Sequence, residues 1–233
     1  VCSSDLHAIT PARGKAPFEH PKAFTYISLV GATPNVLMTH PAQPFKNVGD
    51  VVAFAKANPG KLSYGSSGVG ASPHMSVELM KAMAGVDIVH VPYKGAAPAL
   101  TEVIGGQIPL SVGNLPGGPL AAIRSGRLRG VGVTTAKRSS RAPDVPTFAE
   151  GGVAGYDVAV WYGICGPQGM PKPLVAKINS GLVQILRAPA LQERMAEQAV
   201  DSGTSTPEFF LDFVKKDIER WVKVVKAANI PPE

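Results

Sequence analysis

The sequence predicts an α/β fold with a mostly parallel sheet and a second lobe. Two observations carry this. Between residues 47 and 135, short β-branched or apolar runs alternate with stretches whose apolar residues recur at helical spacing, the pattern of strand–helix–strand crossovers. Around residues 140–170 the composition then changes through a Pro-rich connector, which suggests a boundary.

Residues 7–24 are polar and Pro-rich and read as irregular. FTYISLVG (24–31) and NVLMTH (35–40) are apolar runs flanked by Gly and Pro, and so read as two strands. In NVGDVVAFAKA (47–57) the apolar residues at 48, 51, 52 and 55 form a helical stripe, with Asn47 as N-cap. Asn58-Pro59-Gly60 turns the chain into a short strand, KLSYGS (61–66). Ser72-Pro73 starts a helix, Ser as cap and Pro in the first helical position, with Met75, Leu79 and Met83 on one face and Gly85 as the stop.

IVHVPY (88–93), IPLSVGN (108–114) and LRGVGVTT (128–135) follow as strands, separated by the helical segments GAAPALTEVIGG (95–106) and GGPLAAIRSG (117–126). VAVWYGICGP (158–167) is a further strand. Helices over about 171–187, 189–199 and 207–228 close the chain, the last with Phe209, Phe210, Phe213, Ile218, Trp221, Val224 and Val225 on its docking face.

Composition narrows the function. Among 233 residues, 45% are hydrophobic and 17% charged, and no apolar run approaches the ~20 residues of a membrane helix. The net charge of +6 is a modest excess. Its densest zone, Arg124 to Arg141, has no interleaved aromatics, so a solvated basic face with a mild preference for anions fits better than a nucleic-acid platform. Cys2 and Cys165 permit one disulfide but no framework, and no zinc spacing occurs. His74 and Glu78 share a helix face, a pattern more typical of a structural histidine than of a metal ligand. Positions 1–30 contain no apolar signal-peptide core. The opening VCSSDL lacks a Met and resembles the translation of a sequencing-library adapter, so residues 1–6 are expected to be non-native and the chain a fragment.

The segment YGSSGVGASPH (64–74) places three Gly and three Ser between a strand and a helix. Gly65 to Gly70 has the spacing of a phosphate loop, but Ala71 stands where its Lys belongs. The glycine order is not that of a dinucleotide site, and the Ser positions do not form a nucleophile elbow. Two readings stay open. Backbone amides, hydroxyls and the positive helix end could hold a carboxylate, sulfate or phosphate, or the segment is a tight turn that binds nothing. VPYKGAAPAL (91–100) repeats the layout, so two helix N-termini would face one crevice at the carboxyl ends of the strands. There Lys94 is an anion partner or an ordinary surface residue, and Tyr93 lines the cleft or packs. Asn114 holds the same topological position after the next strand.

The segments AKANPGKLSYGSSGVGASPH, HVPYKGAAPALTEVIGGQIPL, RSGRLRGVGVTTAKRS and PDVPTFAEGGVAGYDVAVWYGICGPQGMP, in order and spacing, resemble the Bug family, the periplasmic receptors of tripartite tricarboxylate transporters. The resemblance runs from about His7 to Ile230. It implies a type II periplasmic-binding-protein fold, with 7–33 plus 158–233 as one lobe, partial here, and 34–157 as the other. It implies an extracytoplasmic, non-enzymatic, monomeric receptor that takes a small di- or tricarboxylate or related organic acid and delivers it to membrane permease subunits, with no cofactor, metal or nucleic acid. Carried over by motif, Ser66, Ser67, Gly70, Ala71 and Ser72 would form half of a carboxylate cradle, with Gly95, Ala96 and Asn114 along the same wall. Trp161 lies at the return crossing, as cleft wall or as hinge packing.

This sequence departs from the family pattern in two places. The family's Ala-Pro-Ala-Gly-Thr-Pro is Gly-Pro-Gln-Gly-Met-Pro at 166–171, and members begin with a signal peptide, a first strand and a further ligand loop. One depleted lobe and weak ligand binding are therefore expected. The rivals are an effector-binding domain of a transcription regulator and an enzyme with the glycine loop as oxyanion site.

Overall fold

The computed structural model describes residues 1–14 and 16–232. Along the chain come β1 (Cys2–Ser3), a π-helical turn (Asp5–Ile9), α1 (Thr10–Ala12), β2 (Phe24–Thr39), α2 (Val48–Ala57), β3 (Ser63–Ser66), α3 (Ser72–Ala84), β4 (Val89–Pro92), α4 (Ala96–Ile104) and β5 (Leu110–Asn114). α5 (Gly118–Arg124), β6 (Arg129–Val133), β7 (Ala159–Pro167), α6 (Lys172–Leu186), α7 (Pro189–Glu197), β8 (Asp201–Ser202) and α8 (Pro207–Ala227) complete it. Among the described residues no helix is long and apolar enough to cross a membrane.

The chain divides into two compact units, Pro34–Ala159 and Val1–Thr33 with Val160–Glu233. In the first, β3 pairs in parallel with β4 and with β5, while β2 runs antiparallel between β5 and β6. The strand order is therefore β6-β2-β5-β3-β4. β3, β4, β5 and β6 share one direction, because each is reached from the last through a helix. β2 opposes them, so the sheet is mixed around a parallel majority. The core beneath it holds Val36, Leu37, Met38, Tyr64, Met75, Met80, Val112, Val131 and Phe148, all at most 2% exposed.

The helix starts follow from local chemistry. Asn47 accepts from the Asp50 amide at 3.1 Å and Asp50 accepts from the Asn47 amide at 3.3 Å, the reciprocal capping box expected of an N-terminal Asn. α3 ends at Gly85 in the left-handed conformation, φ 64°. Its start differs from expectation. Ala71 occupies the cap in an extended conformation and Ser72 is already helical. The His74 ring reaches back from the third helical position to accept from the Gly70 amide at 3.0 Å, tying the residue before the cap to the first turn.

The second unit is built on β7, which lies between β1 and β2, with β8 antiparallel to β2. Phe210, Val214 and Trp221 of α8 are buried in it, and a Cβ at Gly163 would fall on the Phe210 ring, so glycine is required there. The segment expected to be irregular from residue 7 instead begins helically, and the π-helical turn and α1 pack on α8. Ala8 and Ile9 supply the buried contacts, and the Arg13 guanidinium donates to the Pro231 carbonyl at 3.2 Å. Cys2 is fully buried and disulfide-bonded to Cys165.

FTYISLVG and NVLMTH are one strand, not two. Gly31 and Pro34 suggested a break, but both have other reasons to be there. A Cβ at Gly31 would sit 2.9 Å from Val200, so the residue marks a close approach. Pro34 falls between the ladder that ends at Ala32 and the one that begins at Asn35, where no N–H is needed.

Candidate anion-binding site

The glycine segment leaves β3 and enters α3 through two residues with positive φ, Gly68 at 138° and Gly70 at 80°. Such a path favours glycine at both positions. It is fastened from inside. The Ser66 hydroxyl accepts from the Gly68 amide and reaches the Gly68 carbonyl, both at 3.2 Å, and its Oγ lies 2.7 Å from His90 Nε2. The Gly95 amide donates to the Ser67 carbonyl at 3.2 Å, so the two glycine-containing motifs are joined through the backbone.

Beside this junction lies a cavity of about 330 Å³. Ser67 and Pro73 bound it on the side of the loop and α3, Ala96 and Ala97 on that of α4, and Gly118 and Pro119 on that of α5. Ser111 and Asn114 of β5, with Met38 and Leu100, form much of the rest. Among the described residues no charged side chain lines it. Three helices thus bring their first turns to one hollow. The caps of α4 and α5 are Gly95 and Gly117, without side-chain capping bonds, and the first amides of a helix have no intrahelical acceptor. The partial positive charge of such termini suits an anion.

Of the nine residues singled out from the sequence, Ser67, Ala96 and Asn114 line the cavity. Ser66 is fully buried and ties the loop from below. Gly70 gives its amide to His74. The Ala71 carbonyl starts α3 by accepting from Met75, and Ser72, 3% exposed, accepts at its carbonyl from the Ser76 hydroxyl. Gly95 shapes the start of α4. Trp161 belongs to the other unit, where it is 2% exposed, donates from its indole to Asp217 at 2.8 Å and meets the Phe210 ring edge-on. Of its two expected roles, the packing one describes these contacts.

Lys94 and Tyr93 are not among the cavity residues; the Tyr93 ring lies over Gly65, where a Cβ would come within 3.0 Å of it. Sequence reading missed Ser111, the one hydroxyl within the apolar run of β5 and a visible signal. It also missed the partner of Ser66. His90 is 24 residues away and reaches it only through the parallel pairing of β3 with β4. That Ser–His contact does not make a nucleophile, because Ser66 is fully buried and lies outside the cavity. A larger hollow of about 660 Å³ in the other unit, lined among others by Tyr26, Lys172 and Glu208, receives none of the nine.

A sheet with helix N-termini converging on an uncharged hollow narrows the field, and comparison with known proteins decides the family. The model of the tripartite tricarboxylate transporter family receptors matches residues 2–230. The chain belongs to that family. A relative from Bordetella pertussis, Protein BugT, is 31% identical over 86% of this chain and 61% of its own length. Among solved structures, R. palustris Rpa4515 with adipate is 33% identical at a TM-score of 0.84, covering 100% of this chain and 78% of that one. MatC from Rhodopseudomonas palustris with bound malate is 25% identical at 0.77, covering 96% and 77%. This family chain spans about three fifths of the length of most of the curated relatives it matches.

Proposed function

We propose that this chain is an extracytoplasmic solute-binding receptor that takes up a small organic carboxylate and presents it to the membrane subunits of a tripartite tricarboxylate transporter. The observation that carries the reading is the uncharged cavity bounded by the first turns of α3, α4 and α5. A carboxylate held by amide and hydroxyl donors needs no cation, and the family is one of receptors. Two related structures agree in kind, since one was solved with adipate and the other with malate.

Ser67, Ala96, Ala97 and Asn114 are assigned to the ligand. Ser66, Gly70, Ala71, Ser72 and Gly95 are assigned to the shape of the cradle. The two units are read as the two lobes of the receptor. A thermal-shift screen against dicarboxylates, tricarboxylates, aromatic acids and amino acids, with esters and phosphate esters assayed in parallel for turnover, tests the proposal. Stabilisation by carboxylates without turnover supports it. Hydrolysis that depends on Ser67 contradicts it.

A further inference from the structure

Beneath the glycine loop lies a polar cluster that the anion-site reading does not use. The His74 and His90 rings stack with centroids 3.9 Å apart and planes 26° apart. Tyr64 of β3 also stacks on His90, with centroids 5.0 Å apart. His74 Nε2 lies 3.8 Å from Glu78, which also accepts from the Tyr64 hydroxyl at 2.7 Å and the Lys81 ammonium at 2.8 Å. Tyr64, His74 and Glu78 are at most 6% exposed. Each imidazole bonds to a different end of the loop, His90 to the Ser66 hydroxyl and His74 to the Gly70 amide.

We propose that the stacked imidazoles of His74 and His90 are positioning residues, which hold the glycine loop in the shape that receives the anion. The proposal rests on the carboxylate-receptor reading of the cavity. A segment with two positive-φ glycines has wide conformational freedom, so its shape must come from outside its own backbone. The two rings supply it, one at the strand end of the loop and one at the helix end.

The chemistry makes the hold dependent on protonation. Nδ1 of His74 accepts the Gly70 N–H, so it must carry a lone pair, and in the neutral ring the proton then resides on Nε2, facing Glu78. Protonation of Nδ1 replaces that acceptor with a donor and frees the Gly70 amide. Two charged imidazoles at stacking distance would also repel each other. The charged and titratable groups around the pair are Glu78 and Lys81 from α3 and Tyr64 from β3. Burial pushes His90 down to about 4, which favours its neutral form at neutral pH.

Amide hydrogen exchange of the 15N-labelled chain, read at Gly70 and at the α4 amides, tests this alongside titration with adipate. At pH 7 His74→Phe is expected to speed Gly70 exchange about tenfold while α4 is unchanged. His74→Asn, whose carbonyl can accept the same N–H, is expected to restore protection. In the wild type at pH 7, Gly70 should exchange far more slowly than a free amide, and His74→Phe should weaken adipate binding where His74→Asn retains it. Unchanged Gly70 exchange in His74→Phe, or an Asn variant no better than Phe, overturns the proposal. Should the Phe variant not fold, wild-type Gly70 exchange as fast as that of a free amide at pH 7 overturns it as well. A wild type with protected Gly70 and no adipate response at pH 7 counts against the carboxylate reading, and the exchange results still decide the positioning role.

Discussion

The Gly95 amide donates to the Ser67 carbonyl at 3.2 Å, so the loop after β3 and the start of α4 form one continuous wall. Gly95 has φ 107° and ψ 173°, a region open essentially only to glycine. A Cβ there meets nothing within 4 Å, so the cost of a side chain is one of backbone alone. Gly95→Ala should destabilise the protein by about 1–3 kcal/mol, and carboxylate affinity should fall as the first amides of α4 turn away. Urea denaturation and calorimetry check the two effects.

Asn114 brings the cavity's side-chain amide, which both donates and accepts. Asn114→Leu keeps the approximate volume and removes both functions. Affinity for a carboxylate should drop about tenfold or more, the usual scale for a hydrogen bond to a charged group, with little change in melting temperature. An equal loss on Leu100→Met, an apolar exchange in the same hollow, would mean that shape rather than the amide matters.

Trp161 separates fold from function. Its indole N–H is bonded to Asp217, itself 4% exposed and paired with Arg220. Trp161→Phe removes one partner of a buried carboxylate and should cost about 1–3 kcal/mol. Carboxylate affinity measured well below the melting temperature should not change. A large loss of affinity at full folding would return Trp161 to the binding surface.

Acid should destabilise the protein in part through His90. Burial holds this ring at about 4 in the folded chain, against about 6.5 when unfolded. Between these values the unfolded state binds the extra proton, so stability falls as pH drops from about 6.5 to about 4. His7, likewise held at about 4 by burial, adds to the same slope from the other unit. His90→Gln should flatten the wild-type dependence of the urea midpoint over this window. A variant that retains the full slope would show that His90 titrates alike in the folded and unfolded states.

The alternation of strands and helices was legible because each element carries its own period, and helix stops such as Gly85 follow from single-residue conformations. The cap of α3 was misplaced by one residue because Ser72 has cap chemistry, while the residue in the cap is Ala71, which carries no side-chain capping bond. The length of β2 was hidden by Gly31 and Pro34, which look like punctuation locally and owe their places to packing and to a gap between ladders. The cavity was legible as two glycine motifs after parallel strands. The histidine stack beneath it was not, since only the β3–β4 pairing brings His90 to Ser66 and His74.

The proposed carboxylate site is an uncharged hollow built from helix N-termini. Titrating the 15N-labelled chain with adipate and following its amides tests this most directly, because it reads location even when affinity is weak. Saturable shifts centred on Ser67, Ala96, Ala97 and the Asn114 side chain are predicted. Shifts absent from these four groups at saturation, or centred on exposed lysines and arginines and erased by added salt, would contradict it.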